Sequence, residues 1–367
     1  MQTKTYGYHQ TIAAKASISA LKRLSVLVVG LGGLGSQAAV CLTSAGVGRI
    51  GLVDYDLVQL SNLQRQVYYD TAHVGRPKTH VLAETLAEIN QSVEIETFDV
   101  RLTSENALDI IRGYDVVLDG SDNYPTRYLL SDACTLLGKP YVFGSIYRYY
   151  GQVTVFNQPD GPCYRCLYPA PPPPGAMPSC ADGGVLGPLP GLVGSVQALE
   201  VLKLVSGVGR PMVGRLLLLD LSGSVFGEIP IAKNPDCPAC GQKPIIKSLQ
   251  DYETFCGVVT DSSCEVSPKE LLDMLRSGDK PLLVDVREEV EREICRIEGS
   301  VAIPLSRLWD EVERLAEAGK VVLYCHRGYL SRLTASMLRD LGLGKVWSLK
   351  GGIEGWAEVV DPSMPRY

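Results

Sequence analysis

Eleven cysteines stand in this 367-residue chain, and four form two C-x-x-C pairs, Cys163/Cys166 and Cys237/Cys240. Each pair presents two thiols at the spacing of a metal knuckle, and four thiolates suit a closed tetrahedral Zn²⁺ site. A C-x-x-C redox pair is the rival reading, although two such pairs in one domain favour metal. Cys180 lies in Pro178-Ser179-Cys180-Ala181-Asp182-Gly183-Gly184, a Gly/Pro loop that exposes its thiol, and an exposed thiol without a use is a liability. Cys325 ends a strand-like run and precedes a helix, so backbone N–H groups and the helix N-terminus favour a thiolate or persulfide anion there. Cys41, Cys134, Cys256, Cys264 and Cys295 show no pattern and read as buried filler.

Gly30-Leu31-Gly32-Gly33-Leu34-Gly35 succeeds the apolar run 25–29 and opens a helical stretch at 35–45. Glycines there let the backbone turn tightly and bring a helix N-terminus to a phosphate. Asp54 ends the next strand, where a carboxylate binds ribose hydroxyls. Alone, this pattern fits a nicotinamide or flavin oxidoreductase as well as any other nucleotide enzyme. The residues beyond Asp54 favour a triphosphate: Asn62 and Arg65 lie just past the acidic strand end, and Lys78 comes after Val74-Gly75-Arg76-Pro77. Two cations and an amide answer the extra anionic charge of a triphosphate. Asp122, in Asp119-Gly120-Ser121-Asp122-Asn123, ends a later strand and is placed to hold Mg²⁺. Singly, Arg65 or Lys78 would read as a solvated surface charge.

Positioning these groups requires alternating strands and helices. Segments 25–29, 49–54, 93–99 and 114–119 read as strands, and 35–45, 74–90 and 104–113 as helices, the signature of a parallel α/β sheet. Composition shifts to Pro and Gly over 158–190, which predicts a long surface crossing without helix or central strand. A helical pattern resumes at 192–205 and a strand at 215–221. Neither period nor turn cluster marks 242–257, so the expected division is a first domain at 1–245, a linker at 246–262 and a second domain at 263–367. Ser267 is the expected N-cap of the next helix, with Pro268 in its first turn. Segments 281–286 and 321–325 read as strands and 331–341 as a helix, giving a second, smaller α/β domain.

Hydrophobic residues at 46% and charged residues at 21% are ordinary for a soluble globular protein. A net charge of −6 offers no basic excess for nucleic acid. Residues 1–24 lack the apolar core of a signal peptide. The longest apolar stretches are interrupted, one by Gly30 to Gly35 and another by Pro188, Pro190, Gln197 and Glu200. We therefore expect a cytoplasmic protein with neither membrane nor nucleic-acid partner, in a compartment that keeps thiols reduced.

Over residues 21–241 the chain resembles the MoeB/ThiF family, within the ubiquitin-activating-enzyme-like superfamily. The glycine turn, Asp54-Tyr55-Asp56, Ser61-Asn62-Leu63-Gln64-Arg65-Gln66 and Asp122-Asn123 occur in the family's order and spacing. The resemblance implies that Gly33, Asp54, Ser61, Asn62, Leu63, Gln64, Arg65, Lys78, Asp122 and Asn123 bind ATP, with Asp122 serving Mg²⁺ and Arg65 aiding the chemistry. It implies adenylation of a Gly-Gly C-terminal carboxylate with release of pyrophosphate, by positioning and charge stabilisation. It also implies zinc on Cys163, Cys166, Cys237 and Cys240, a homodimer, and a crossover-loop Cys180 that bonds covalently to the carrier's terminal glycine. The family's N-terminal Arg-Gln, whose arginine reaches the neighbouring subunit's ATP, is His9-Gln10 here, with Arg23 and Lys15 as alternative cations.

Residues 267–356 resemble single-domain rhodaneses. Asp285-Val286-Arg287-Glu288, then 297–304, Tyr324-Cys325-His326-Arg327-Gly328 and Gly351-Gly352-Ile353-Glu354-Gly355-Trp356 carry the likeness. Phosphatases of related fold place Arg six residues after the Cys; here that position is Ser331, and Arg332 is one place late, which argues against a phosphatase. The common Cys-Arg-x-Gly loop has His326 as its second residue here.

The resulting reading is an α/β chain with a Rossmann-like adenylyltransferase domain, a structural zinc site and a small α/β rhodanese-like domain. ATP with Mg²⁺ adenylates a ubiquitin-like sulfur-carrier protein ending in Gly-Gly. Cys325 takes sulfur from a donor such as a cysteine desulfurase or thiosulfate, and attack by Cys180 or the Cys325 persulfide leads to a C-terminal thiocarboxylate. Two other classes stay open at this point: a nicotinamide or flavin oxidoreductase, and a non-catalytic zinc scaffold.

Overall fold

The computed structural model describes residues 19–172, 184–257, 262–277 and 280–367. The chain divides into two compact units, the second comprising Cys256–Tyr367. In the first, β1 (Ser25–Val29), β2 (Arg49–Val53), β3 (Glu94–Phe98), β4 (Val116–Asp119) and β5 (Tyr141–Tyr147) are parallel. Strands β6 (Tyr150–Phe156), β7 (Arg215–Asp220) and β8 (Val225–Pro230) continue the sheet antiparallel, in the order β3-β2-β1-β4-β5-β6-β7-β8. Nearly every residue of β1, β2 and β4 is buried, as expected of β-branched and leucine-rich strands covered on both faces. The chain runs outward from β1 to β3 and then crosses to β4 on the other side of β1. Val29 therefore sits opposite both Val53 and Asp119, and the strand ends around β1 form a topological switch point where ligands bind.

Helix Gly33–Ala45 leads off β1 and ends at Gly46, whose φ of 80° supplies the left-handed cap that a β-carbon would resist. Helix Pro188–Ser206 packs against it and against β5 and β6. A side chain at Gly194 would meet the Leu34 carbonyl at 2.3 Å, so glycine is what lets the two helices approach. By length and composition helix Pro188–Ser206 could cross a bilayer, yet it buries Leu189, Val193, Gln197, Ala198 and Val201 inside this unit. That is the burial of a core helix.

The expectation of no helix in the proline-rich stretch is corrected at two places. Helix Pro188–Ser206 begins inside it, because a proline in the first turn forfeits no intrahelical N–H bond. Tyr164–Leu167 forms a helical turn between the first two paired cysteines. There Arg165 enters the interior and meets Asp132 of helix Tyr124–Leu137 through two 2.8 Å bonds. Tyr252 donates to the same carboxylate at 2.7 Å, and Phe255 packs under the guanidinium at 4.6 Å. The stretch 246–262, expected as the linker, contains a helical turn, Tyr252–Phe255, that belongs to the first unit.

The side chains of Arg165 and Asp132 are 3% and 0% exposed, so each depends on the other for solvation. Replacing Arg165 by methionine leaves the buried carboxylate, among the described residues, with only Tyr252, and should cost about 3–5 kcal/mol. Tyr252→Phe, which removes one bond to a charged group, should cost about 1.5–3 kcal/mol. Denaturant unfolding measures both, and a loss below that of Tyr252→Phe for Arg165→Met would overturn the assignment.

The second unit holds a five-stranded parallel sheet ordered β11-β10-β12-β13-β9. Its strands are β9 (Glu265–Val266), β10 (Leu282–Asp285), β11 (Val301–Ala302), β12 (Val321–Tyr324) and β13 (Val346–Leu349). Ser267 caps helix Pro268–Arg276 as expected, in a reciprocal capping box with Glu270. Of the cysteines read as filler, Cys134, Cys264 and Cys295 are buried, while Cys41 and Cys256 are half-buried.

Candidate functional site

At the switch point the glycine turn is fixed by contacts on several sides. Gly30 has φ 83°, and a β-carbon there would lie 2.8 Å from Gly120. A β-carbon on Gly33 would meet Pro190 at 2.6 Å and the Arg65 carbonyl at 2.9 Å, whereas one on Gly32 would find, among the described residues, only Gln66 at 3.5 Å. Gly30 and Gly33 are needed for packing, whereas Gly32 is not crowded by the described residues. Tyr69 donates to the Leu31 carbonyl at 2.8 Å, and the Leu31 N–H donates to Asp54 Oδ2 at 2.7 Å.

Asp54 also accepts from the Asp56 N–H at 2.8 Å, while Lys78, almost fully buried, donates to Asp56 Oδ2 at 2.8 Å. Burial pushes the Asp54 carboxyl above its ordinary range, and the Lys78 ammonium works against that rise. Burial also raises the Tyr55 phenol, and negative charge from Asp56, Asp122 and Asp54 adds to the rise, so these carboxylates share one field. Asp119 is fully buried behind them, bonded by Ser121 and Tyr141, and its carboxyl is raised by burial. Gln197 donates to the Asp119 carbonyl at 2.6 Å, tying helix Pro188–Ser206 to this strand end.

The expected nucleotide residues are brought together in part by this architecture. Ser61 and Asn62 lie in the helical turn Leu60–Asn62, with Asn62 buried; Leu63, Gln64 and Arg65 come next, and Arg65 donates to the Ser61 carbonyl at 3.3 Å. Asp122 is exposed at the end of the β4 turn. Asn123 spends its side-chain oxygen on the Thr126 N–H, at 2.9 Å, as the N-cap of helix Tyr124–Leu137. Asp56, the partner of Lys78, stands in the Asp54-Tyr55-Asp56 motif, whereas Tyr69 and Tyr141 carry no sequence signal.

Cys163, Cys166, Cys237 and Cys240 converge, all four sulfurs lying within 4.8 Å of one another. The separations are 3.9 Å for Cys163–Cys166, 3.5 Å for Cys163–Cys237 and 3.4 Å for Cys166–Cys240. Sulfurs about 2.3 Å from a zinc ion in a tetrahedron stand about 3.8 Å apart, so the four thiols fit Zn²⁺. The Asn234 N–H points to Cys166 Sγ at 3.4 Å, and Ile246 packs against the cluster. Cys180, His9 and Lys15 lie outside the described residues.

In the second unit Cys325 comes directly after β12 and is 2% exposed. Helix Tyr329–Asp340 begins just beyond Gly328, whose φ is 83°. Ser331 donates to Cys325 Sγ at 3.5 Å. A β-carbon on Gly352 would strike the Cys325 carbonyl at 2.4 Å, so the Gly351-Gly352 pair allows the two turns to close on each other. The neighbour in sequence, His326, is buried against Tyr367 and bonded to Glu354.

Residues 8–239 match the ThiF family and residues 267–359 the rhodanese-like domain. The chain is 45% identical to the adenylyltransferase and sulfurtransferase MOCS3 of Drosophila yakuba, over 95% of this chain and 81% of that protein. It is 44% identical to the probable adenylyltransferase/sulfurtransferase MoeZ of Mycobacterium tuberculosis, over 95% and 90% respectively. A sulfur carrier protein adenylyltransferase of Thermus thermophilus is 55% identical over 65% of this chain and 90% of its own length. Among solved structures, MccB of E. coli with ATP shares the fold at TM-score 0.56 and 19% identity, over 62% of this chain and 69% of that one. With a glycine turn and buried carboxylate–lysine set in one unit and a strand-end cysteine turn in the other, the chain belongs to the ThiF family, as an adenylyltransferase and sulfurtransferase with a C-terminal rhodanese-like domain.

Proposed function

We propose that this protein adenylates the C-terminal glycine of a ubiquitin-like sulfur-carrier protein and then converts that terminus to a thiocarboxylate. The observation that carries the reading is the presence of both chemistries in one chain: the Asp54–Lys78 set at the glycine turn, and the Cys325 turn before a helix. Arg65 and Lys78 would offset triphosphate charge, Asp54 would receive the ribose, and Asp122 would hold Mg²⁺, which lends positive charge to the phosphates when bound. Ser61, Asn62, Leu63, Gln64, Gly33 and Asn123 would complete the nucleotide contacts. The ATP-using family and the carrier adenylyltransferase relative support this assignment.

Cys325 would carry persulfide sulfur supplied by a cysteine desulfurase or by thiosulfate, Cys180 would form the covalent link to the carrier, and release of the thiocarboxylate from the sulfane sulfur would draw two electrons from a thiol reductant, which becomes a disulfide. A homodimer in the cytoplasm is the setting we infer. The test is to incubate the protein with ATP, Mg²⁺, a sulfur donor and each Gly-Gly-ended carrier of its source, then weigh the carriers. One carrier should gain an adenylyl group and afterwards exchange one oxygen for sulfur. No mass change on any carrier, with no ATP–pyrophosphate exchange, would sink the proposal.

Lys78→Met should lower ATP–pyrophosphate exchange by about 10²–10³-fold, the cost of removing one preorganised charge stabiliser. It should also move the acid limb of the pH profile. Burial already raises Asp54, and Lys78 is the strongest opposing influence, so its loss raises that carboxyl further. At any given acidic pH a smaller fraction of Asp54 is then ionised, and the limb shifts to higher pH. An unshifted limb with a normal rate would contradict both roles.

A further inference from the structure

His326 and Glu354 are joined twice. The Glu354 N–H donates to the His326 carbonyl at 3.1 Å, and His326 Nε2 lies 3.1 Å from Glu354 Oε2. One residue earlier, the Ile353 N–H donates to the Cys325 carbonyl at 2.9 Å. Both carbonyls, of Cys325 and of His326, are therefore turned toward the start of helix Gly352–Val359. In a trans peptide the N–H points opposite to the C=O, so the N–H groups of His326 and Arg327 are turned away from that helix.

The imidazole is clamped on its face as well. Its ring stacks on Tyr367 with centroids 4.4 Å apart and planes 6° from parallel. Tyr367 is held in turn, its hydroxyl accepting from Arg287 Nη1 at 2.7 Å and donating to Glu291 Oε1 at 2.9 Å. Arg366 grips Glu354 Oε1 from the other side at 2.9 Å. Among the described residues His326 Nδ1 is buried with no hydrogen-bond partner. A buried ring nitrogen in that state is costly and calls for a reason.

We propose that His326, locked by Glu354 and Tyr367, is a positioning residue for the sulfur on Cys325, fixing the peptide planes whose N–H groups stabilise its anion. The inference rests on the reading of Cys325 as the sulfur carrier. The groups facing the ring are Glu354 from helix Gly352–Val359, Arg327 from its own turn, Glu291 from helix Glu289–Ile294, and Tyr367 with Arg287. Burial and then Arg327 lower the His326 pKa, and the Glu354 carboxylate selects the tautomer with the proton on Nε2. A neutral ring supplies little charge of its own. Geometry is what it contributes.

The experiment is alkylation of Cys325 in the full chain by iodoacetamide across pH, read at that peptide by mass spectrometry, alongside thiocarboxylate formation and ATP–pyrophosphate exchange. His326→Ala should raise the alkylation midpoint by about one unit and slow sulfur transfer about tenfold, with exchange unchanged. His326→Gln, which keeps a donor for Glu354, should restore most of both. Tyr367→Phe keeps the stacked ring and should stay near the parent midpoint, whereas Tyr367→Ala should resemble His326→Ala. An unmoved midpoint in folded His326→Ala, or equal impairment by Gln and Ala, overturns the proposal. If His326→Ala does not fold, the Tyr367 pair decides, and equal midpoints for Phe and Ala overturn it. Sulfur transfer that survives Cys325→Ala would instead refute the underlying assignment, a result separable because alkylation needs no carrier.

Discussion

Cys325→Ala will keep carrier-dependent ATP–pyrophosphate exchange and lose thiocarboxylate formation. Every residue assigned to the nucleotide lies in the first unit, around β1, β2 and β4. Cys325 belongs to the core of the second, packed with Val284, Leu323 and Leu338. Removing one buried sulfur atom costs stability on the scale of a small core truncation, about 1 kcal/mol, so the unit should stay folded. The chemical loss is far larger, because alanine has no atom that can take up sulfur. Cys295 is no substitute: burial raises its thiol, leaving less of the nucleophilic thiolate. Nor is Cys264, which is buried with its thiol directed at the Arg332 carbonyl at 3.9 Å. Rates of exchange and of thiocarboxylate formation on one preparation check the split, and a parallel fall in both would show that the two units do not divide the work.

What the sequence revealed was mostly what short spacing encodes. The apolar run 25–29 and its glycines marked β1 and the turn, and Ser267-Pro268 with Glu270 marked a helix start, because caps and turns are local. The four paired cysteines were legible by chemistry even though Cys163 and Cys237 stand 74 residues apart. The hidden parts join distant residues of unremarkable type. Arg165 finds Asp132 across 33 residues, Tyr252 reaches the same carboxylate across 120, and His326 meets Glu354 across 28. No period or motif links such positions; packing within each unit brings them together. The proline-rich stretch misled for a different reason. Proline breaks a helix from inside but begins one readily, and Pro188 sits at a beginning.

Cys237→Ser should strip the protein of zinc and, with it, much of its adenylation. Zinc on the four thiols would tie the turn at Cys163 to the segment after β8, and structural zinc contributes about 10–16 kcal/mol of apparent free energy in small domains. The first unit has its own core, so the expected outcome is a lower melting temperature and a loosened Tyr164–Leu167 turn rather than a fully unfolded chain. The damage should then travel. Arg165 lies between Cys163 and Cys166 and is bound to Asp132, and the helix carrying Asp132 starts at Asn123, next to the proposed Mg²⁺ carboxylate Asp122. Loss of the metal would therefore loosen the end of the site proposed to hold the phosphates, and positioning is most of what such an enzyme supplies. Metal analysis should fall from about one zinc per chain toward zero, with exchange reduced in step. Redox pairs would behave otherwise: the wild type would hold no zinc, and its exchange would respond to oxidant rather than chelator. Wild-type protein that is zinc-free and fully active would leave the four converging thiols without a metal role.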